Sequence, residues 1–504
     1  MSRRSRSALL SRLLWLAIVA VVVVGFFLVA PYYSTQLWWI FRQSWFWLIP
    51  LIVLAVMALV AYLLVEEGHR GGGALTTLTV AGAIAWFGWL FVYNYAQDAV
   101  YVETLRVTED PVPAFNVRAP FSVSAAQVRS NLGDVPGDTQ ATMYVPDDET
   151  FATLVEQRGF ATGYQTLLEQ KIGTTGRNSP SRCDFGPAAG ARLGGNLWGN
   201  LGRVINTEQR WVNWNEDDAY GWCDPQGTPF VVVPLIEQEG WLIITEKPAG
   251  IALYNGRTGD IEVRPNAEGI PGPTYPLSLA EQQRESSHAM NGFWDWVFGV
   301  AGWELPDEAD SINSSNQSEF VLAGPDGSEY LVTPESGRGS ATAISVLTVM
   351  DAELRSPELA PITVHRLGSA AHPVWQSATA ITDRVRANFG DVFAQQRESS
   401  IYELAPTGPD TWVATIGTPQ NMIYRVTGRG DLAQDPCLVS LTGEQLRCGP
   451  TGNIGLSTGG TPGAPSGAPA PASSDLTTLT PDQLVDLQRR IAEELARRIK
   501  TGGN

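Results

Sequence analysis

At 504 residues the chain has room for about three folded units of roughly 150 residues each. Charged residues make up 17% and hydrophobic ones 44%, with 50 Gly and 33 Pro, which excludes a wholly disordered acidic chain, a collagen and a small disulfide scaffold. A net charge of −18 leaves no basic surface to neutralise phosphates, so no nucleic-acid partner is expected.

Three apolar stretches lie within the first hundred residues, at about 13–30, 45–65 and 74–95. Each is close to the ~20 residues a helix needs to cross a bilayer, and none contains a charge. Backbone in lipid must bond to itself, so residues 1–95 read as a membrane domain of three transmembrane helices. Tyr32, Tyr33, Trp38, Trp39, Trp45 and Trp47 crowd the expected first loop, as aromatic rings do at headgroup depth. Arg3, Arg4, Arg6 and Arg12 precede the first span and place the N-terminus in the cytoplasm. Three crossings then deliver residues 96–504 to the exterior. The first stretch also reads as a cleaved signal peptide, although Pro31 after Ala30 opposes cleavage there; the exterior location is the same.

Six Arg and two Glu lie in residues 1–95, so the remainder holds 28 basic against 50 acidic groups. Such an acidic ectodomain stays soluble and does not lie flat on anionic lipid. The chain has three Lys (Lys171, Lys247, Lys500) and 31 Arg, a bias that fits a high-GC bacterial gene.

The ectodomain reads as α+β, in two or three units with antiparallel sheets: 96–270, 271–360 and 361–449. Strand-like pieces open the first unit, among them AFNVRAPFSV at 114–123. From 147 to 172 the apolar residues Phe151, Leu154, Val155, Tyr164, Leu167, Leu168 and Ile172 fall near helical spacing, with a break at Gly159. PFVVVPLI, GWLIITEK, IALYN and DIEVR then read as strands. Ser278 and Glu281 form a capping box for a helix, and Phe293-Trp294-Asp295-Trp296-Val297-Phe298 follows it. That aromatic run reads as a membrane-surface or partner-binding helix, or as a helix buried in the second unit. A third helix is expected over 373–397, with Trp375, Ile381, Val385, Phe389 and Val392 on one stripe. The order helix, strand, Gly-Pro-Asp turn, strand, strand occurs twice, at Gly324 and Gly408, as a duplication would leave it.

All four cysteines lie beyond the membrane domain, so two disulfides are expected in an oxidising compartment. Local pairing, Cys183–Cys223 and Cys437–Cys448, is favoured among the three connectivities. Residues 450–479 are a Gly/Pro/Ser/Ala linker, and 480–500 an amphipathic helix with the seam Leu484, Leu487, Ile491 and Leu495. That seam suits a short coiled coil or a docking helix.

Little points to catalysis. Gly455-Leu456-Ser457-Thr458-Gly459 matches a nucleophile elbow in letters but lies in the linker. His365 and His372 lack the spacing of a metal motif, and the cysteines match no zinc pattern. In Arg210–Asp224, Asn213, Asn215 and Asp217 stand at positions 1, 3 and 5 of a calcium loop that lacks its Gly and Glu; calcium is thus the one cofactor considered. Trp211, Trp214 and Trp222 there, with Trp294 and Trp296, are the aromatic binding candidates. The whole reads as a membrane-anchored, non-enzymatic interaction or assembly protein, in contact with the bilayer and with a protein partner or itself, as an accessory subunit of an envelope-spanning complex would be. The alternatives are an envelope enzyme acting on cell-wall glycans through paired carboxylates, and a ligand-binding sensor ectodomain.

Overall fold

The longest elements are two helices near the N-terminus, α1 (Pro31–Glu66) and α2 (Gly71–Val102). At 1.5 Å per residue they are about 54 and 48 Å long, well beyond the ~30 Å of a hydrocarbon core. No Asp, Glu, Lys or Arg occurs between Gln43 and Val65 or between Gly71 and Gln97. The helices are antiparallel neighbours: Phe46 stacks on Tyr93 and Leu54 packs over Gly82. Both are long and apolar enough to cross a membrane.

This computed structural model describes residues 15, 21–27, 29–67, 71–133, 135–146, 149–172, 178–305, 319–369 and 372–450. The span expected at about 13–30 lies partly outside them; within it 15, 21–27 and 29 are helical. Residues 31–44, expected as an aromatic loop, are instead the first turns of α1. Pro31 stands in the first turn, where its missing N–H costs nothing. The linker beyond Pro450 and the helix at 480–500, with Leu484, Leu487, Ile491 and Leu495, fall outside the described residues.

Beyond the helices the chain is β-rich. β1 (Leu105–Thr108) leaves α2 directly, and α3 (Phe121–Asn131) follows. Then come β2 (Gly137–Val145), β3 (Thr150–Gln157), β4 (Tyr164–Ile172) and β5 (Asn178–Asp184), a four-stranded antiparallel meander. After α4 (Leu201–Glu208), a second sheet has the order β10-β9-β8-β6, with β7 also on β8; these are β6 (Val212–Asn213), β7 (Tyr220–Cys223), β8 (Pro229–Glu239), β9 (Thr245–Asn255) and β10 (Ile261–Arg264). Helices α5 (Leu277–Glu285) and α6 (Phe293–Phe298) precede β11 (Trp303–Glu304), β12 (Phe320–Ala323), β13 (Glu329–Gly337), β14 (Ile344–Asp351) and β15 (Ile362–Arg366). These strands and β1 make a six-stranded sheet that is antiparallel except where β1 runs parallel to β15. Helices α7 (Ala378–Asn388) and α8 (Gly390–Gln395) lead to a five-stranded meander: β16 (Ser400–Pro406), β17 (Thr411–Thr418), β18 (Asn421–Arg429), β19 (Cys437–Val439) and β20 (Gln445–Cys448).

Three elements differ from expectation for identifiable reasons. Residues 150–172 are the β3–β4 hairpin, not a helix. Both faces of these strands are largely buried, so the period-two pattern is lost, and the break at Gly159 is the hairpin turn. The segment 111–120 is irregular, and α3 takes the last three residues of the expected strand. Arg118 pins this segment by a buried ion pair with Glu403, at 2.9 Å. The helix expected from 373 starts only at Ala378, capped by Ser377, and breaks at Phe389.

One core runs from Trp39 and Tyr101 of the long helices through β3, β4, β8 and β9 to Val364 of β15. A second joins β12–β14 to α7 and the last sheet around Trp375 and Trp412. In the second region α8 precedes β16, the turn at Gly408, β17 and β18, the expected order, whereas in the first both β11 and β12 stand between α6 and the turn at Gly324.

Candidate functional site

The upper turns of α1 and α2 are part of the ectodomain, and this fixes where everything else can face. Trp39, 3% exposed, donates its indole N–H to the Trp211 carbonyl, and the Trp211 N–H donates to Thr35 Oγ1. Trp211 sits at φ +68°, a left-handed conformation that costs a non-glycine residue about 1–3 kcal/mol, and α1 holds both of its backbone polar groups. Arg42 donates to the Gln238 and Gly240 carbonyls. From α2, Tyr101 Oη accepts the Glu246 N–H and Tyr93 Oη accepts the Ile244 N–H. Both helices therefore clasp the β8–β9 hairpin.

The Trp-rich segment Arg210–Asp224 is taken up by this clasp and by α5. Trp211 lies edge-on to Trp38, Trp214 packs on the first core, and Trp222 stacks on Phe230 at 5.5 Å. Asn213 accepts from Gln36, and Asn215 caps a short turn by accepting the Asp217 N–H. Asp218 accepts from both the backbone N–H and the hydroxyl of Ser278. It, rather than a Ser278–Glu281 box, caps α5. Burial pushes its carboxyl up to about 6, against those hydrogen bonds from Ser278.

The structure bonds Cys183 to Cys223 and Cys437 to Cys448. The first bridge ties β5 to β7 at the wall of a polar cleft, a space of about 950 Å³. Glu169 and Lys171 of β4, Trp222 of β7, Asp326 and Glu329 at the β12–β13 turn, and Glu353 and Arg355 after β14 line it. Glu169 Oε1 accepts the Cys223 N–H at 2.8 Å, and Glu329 Oε1 accepts the Gly272 N–H at 3.2 Å. Hydrogen bonds from Ser328 hold Asp326 below the usual carboxylate range. Arg355 pairs with Asp351 at 2.7 Å. The cleft thus offers acids and bases side by side, with an aromatic wall.

A second polar group is internal. Arg284 of α5 reaches Glu335 at 2.7 Å and Glu319 at 2.5 Å, beside a cavity of about 210 Å³ under α5. Burial pushes Glu335 up to about 7 against the pull of Arg284.

The remaining candidates are scattered. His288 meets Asp98 at 2.9 Å, and His365 bonds the Asp110 carbonyl. His372 lies near Ser369, and His69 and Ser457 fall outside the described residues. Trp296 donates to Asp98, whereas Trp294 points outward. The sequence reading did not find the cleft, because residues 169, 222, 329 and 355 share no spacing signal; separate sheets bring them together. Family models, curated proteins and solved structures give no match to this chain.

Proposed function

We propose that this protein is a membrane-anchored, extracytoplasmic binding protein that presents its mixed-charge cleft to a protein partner. Three spans set it in the membrane with the N-terminus in the cytoplasm. The Glu66 end of α1 and the Gly71 end of α2 lie at the far end of the two helices from the ectodomain, so those ends and the ectodomain lie on opposite sides of the bilayer. Two disulfides favour the oxidising side for the ectodomain.

The observation that carries this reading is the clasp. Both helices run on from their apolar lengths into the core, so the cleft has a fixed height and direction above the bilayer. An assembly subunit needs that, and a loosely tethered domain does not supply it. Lys171 and Arg355 beside Glu169, Glu329 and Glu353 suit a polypeptide segment carrying both signs of charge.

The test is a photo-cross-linking amino acid at Pro225, an exposed residue on the cleft wall, in the full chain in cells. A discrete protein adduct that disappears with Lys171→Glu plus Arg355→Glu is expected. No adduct, or one indifferent to those changes, overturns the reading. Trp222 beside several carboxylates supports a second reading, a glycan-processing cleft. Against it, Glu169 and Glu329 already hold backbone N–H groups. Release of reducing sugar from cell-wall glycan, lost in Glu353→Gln, would favour the second reading over the first.

A further inference from the structure

Two exposed apolar patches flank the helix hairpin at one level. The first is the tip of the β8–β9 hairpin, where Trp241 is 84% and Leu242 63% exposed. Gly240 makes this tip possible: at φ +81°, a Cβ there would stand 2.0 Å from the Ile243 carbonyl oxygen. The second is α6 and the residues after it, where Trp294 is 68%, Phe298 71% and Val300 69% exposed.

Their level follows from printed neighbours on the long helices. Phe46 of α1 stacks on Tyr93 of α2, so these two residues mark one height. Gly240 is held by Arg42, one turn above Phe46, and Ile244 by Tyr93 and Gln97. On the other patch, Phe293 and Trp296 lie against Tyr95, and Trp296 donates to Asp98. Both patches therefore start within about one helical turn of the Phe46–Tyr93 level. Below that level, 20 residues of α1 run to Glu66 and 22 of α2 to Gly71, a depth of about 30–33 Å. This equals the thickness of the hydrocarbon core, so its upper boundary falls at Phe46 and Tyr93.

We infer that Trp241–Leu242 and Trp294–Phe298–Val300 form a collar that enters the headgroup region of the leaflet facing the ectodomain. Aromatic rings are most stable at that depth, and a collar on both helices resists rocking of the ectodomain on its stalk. The bilayer is the occupant because the patches continue the lipid-facing surface of the helices at the height where headgroups must lie. The inference rests on the reading that α1 and α2 cross the membrane.

Among the described residues every cysteine is disulfide-bonded, so an introduced cysteine takes a single nitroxide label. The full chain would be labelled at Leu242→Cys, Phe298→Cys, Ile84→Cys in mid-helix and Leu446→Cys on β20, then placed in phosphatidylcholine–phosphatidylglycerol vesicles. Collision with oxygen is compared with collision with a water-soluble nickel chelate. Oxygen should dominate at 84, and at 242 and 298 to a lesser degree, with nickel dominant at 446. Nickel dominance at 242 and 298, with 84 still in lipid, overturns the collar alone. Exclusion of both reagents at 242 and 298 assigns the patches to a protein contact and overturns it too. Nickel access at 84 removes the membrane reading and the collar together.

Discussion

Residues 210–224 and 293–300 are both dense in aromatic side chains, and they have opposite fates. In the first, the backbone of Trp211 is held by α1, Trp214 packs on the core, and Asp218 caps α5. In the second, Phe293 and Trp296 pack on Tyr95 of α2, while Trp294 and Phe298 stack on each other and, like Val300, face outward. The difference is one of covering surface. The first segment is bound by α1 and packs Val212, Trp214 and Tyr220 on the first core, although Trp211 stays 40% exposed, whereas α6 is a six-residue helix laid against one side of α2. Aromatic density alone thus says that a segment avoids water; the height at which the fold places it decides whether protein or lipid takes the water's place.

The sharpest way to break this comparison is at the clasp. Trp39→Ala removes a fully packed indole and the hydrogen bond to Trp211, and is expected to cost about 3–5 kcal/mol. Trp39→Phe keeps most of the packing and should cost nearer 1 kcal/mol, the net value of one hydrogen bond. Denaturant unfolding of the full chain in detergent, followed by near-ultraviolet circular dichroism, measures both. A Trp39→Ala variant as stable as the parent would mean that 210–224 is not fastened by α1 at all.

A smaller effect tests the cap on α5. The Asp218 carboxyl titrates near 6 in the folded state, above its value in an unfolded chain. The folded state therefore binds this proton more tightly, and the ionised carboxylate opposes folding as pH rises from about 4 to 6. Asp218→Asn removes the titration. Its stability relative to the parent should grow over that window by about 2–3 kcal/mol and stay level above it. A difference that is flat with pH would show that Asp218 is better hydrated than its burial implies.

How much of this was legible beforehand depends on whether the signal was local. Two of the three expected apolar spans are the long helices α1 and α2, legible because composition alone specifies them, but their upper limits were not. Residues 31–44 are rich in polar and aromatic residues, and in the structure they form the first turns of α1, held to the Trp211 backbone and the β8–β9 hairpin. The Cys183–Cys223 and Cys437–Cys448 bridges follow the pairing that the spacing favoured. The β3–β4 hairpin was read as a helix because burial on both faces erases strand alternation. GWLIITEK reads as a strand, yet its first half is the exposed hairpin tip; hydrophobicity marks the residues and does not say that the fold leaves them outside the core. The cleft was out of reach, since Glu169, Glu329 and Arg355 meet only through sheet packing.

The least disruptive change is the most diagnostic of where the two aromatic segments differ. Trp294 is largely exposed, so Trp294→Ser should alter the stability of the detergent-solubilised chain by less than about 0.5 kcal/mol, as surface substitutions do. If the ring lies among headgroups, the same change should still matter in a bilayer. A nitroxide at 298 should then lose oxygen contact and gain nickel contact, because the helix has lost its neighbouring anchor. The two measurements pull apart only for a residue whose favourable surroundings are lipid. Loss of stability by more than 1 kcal/mol in detergent would place Trp294 in protein packing, and α6 would then belong with residues 210–224 rather than opposite them.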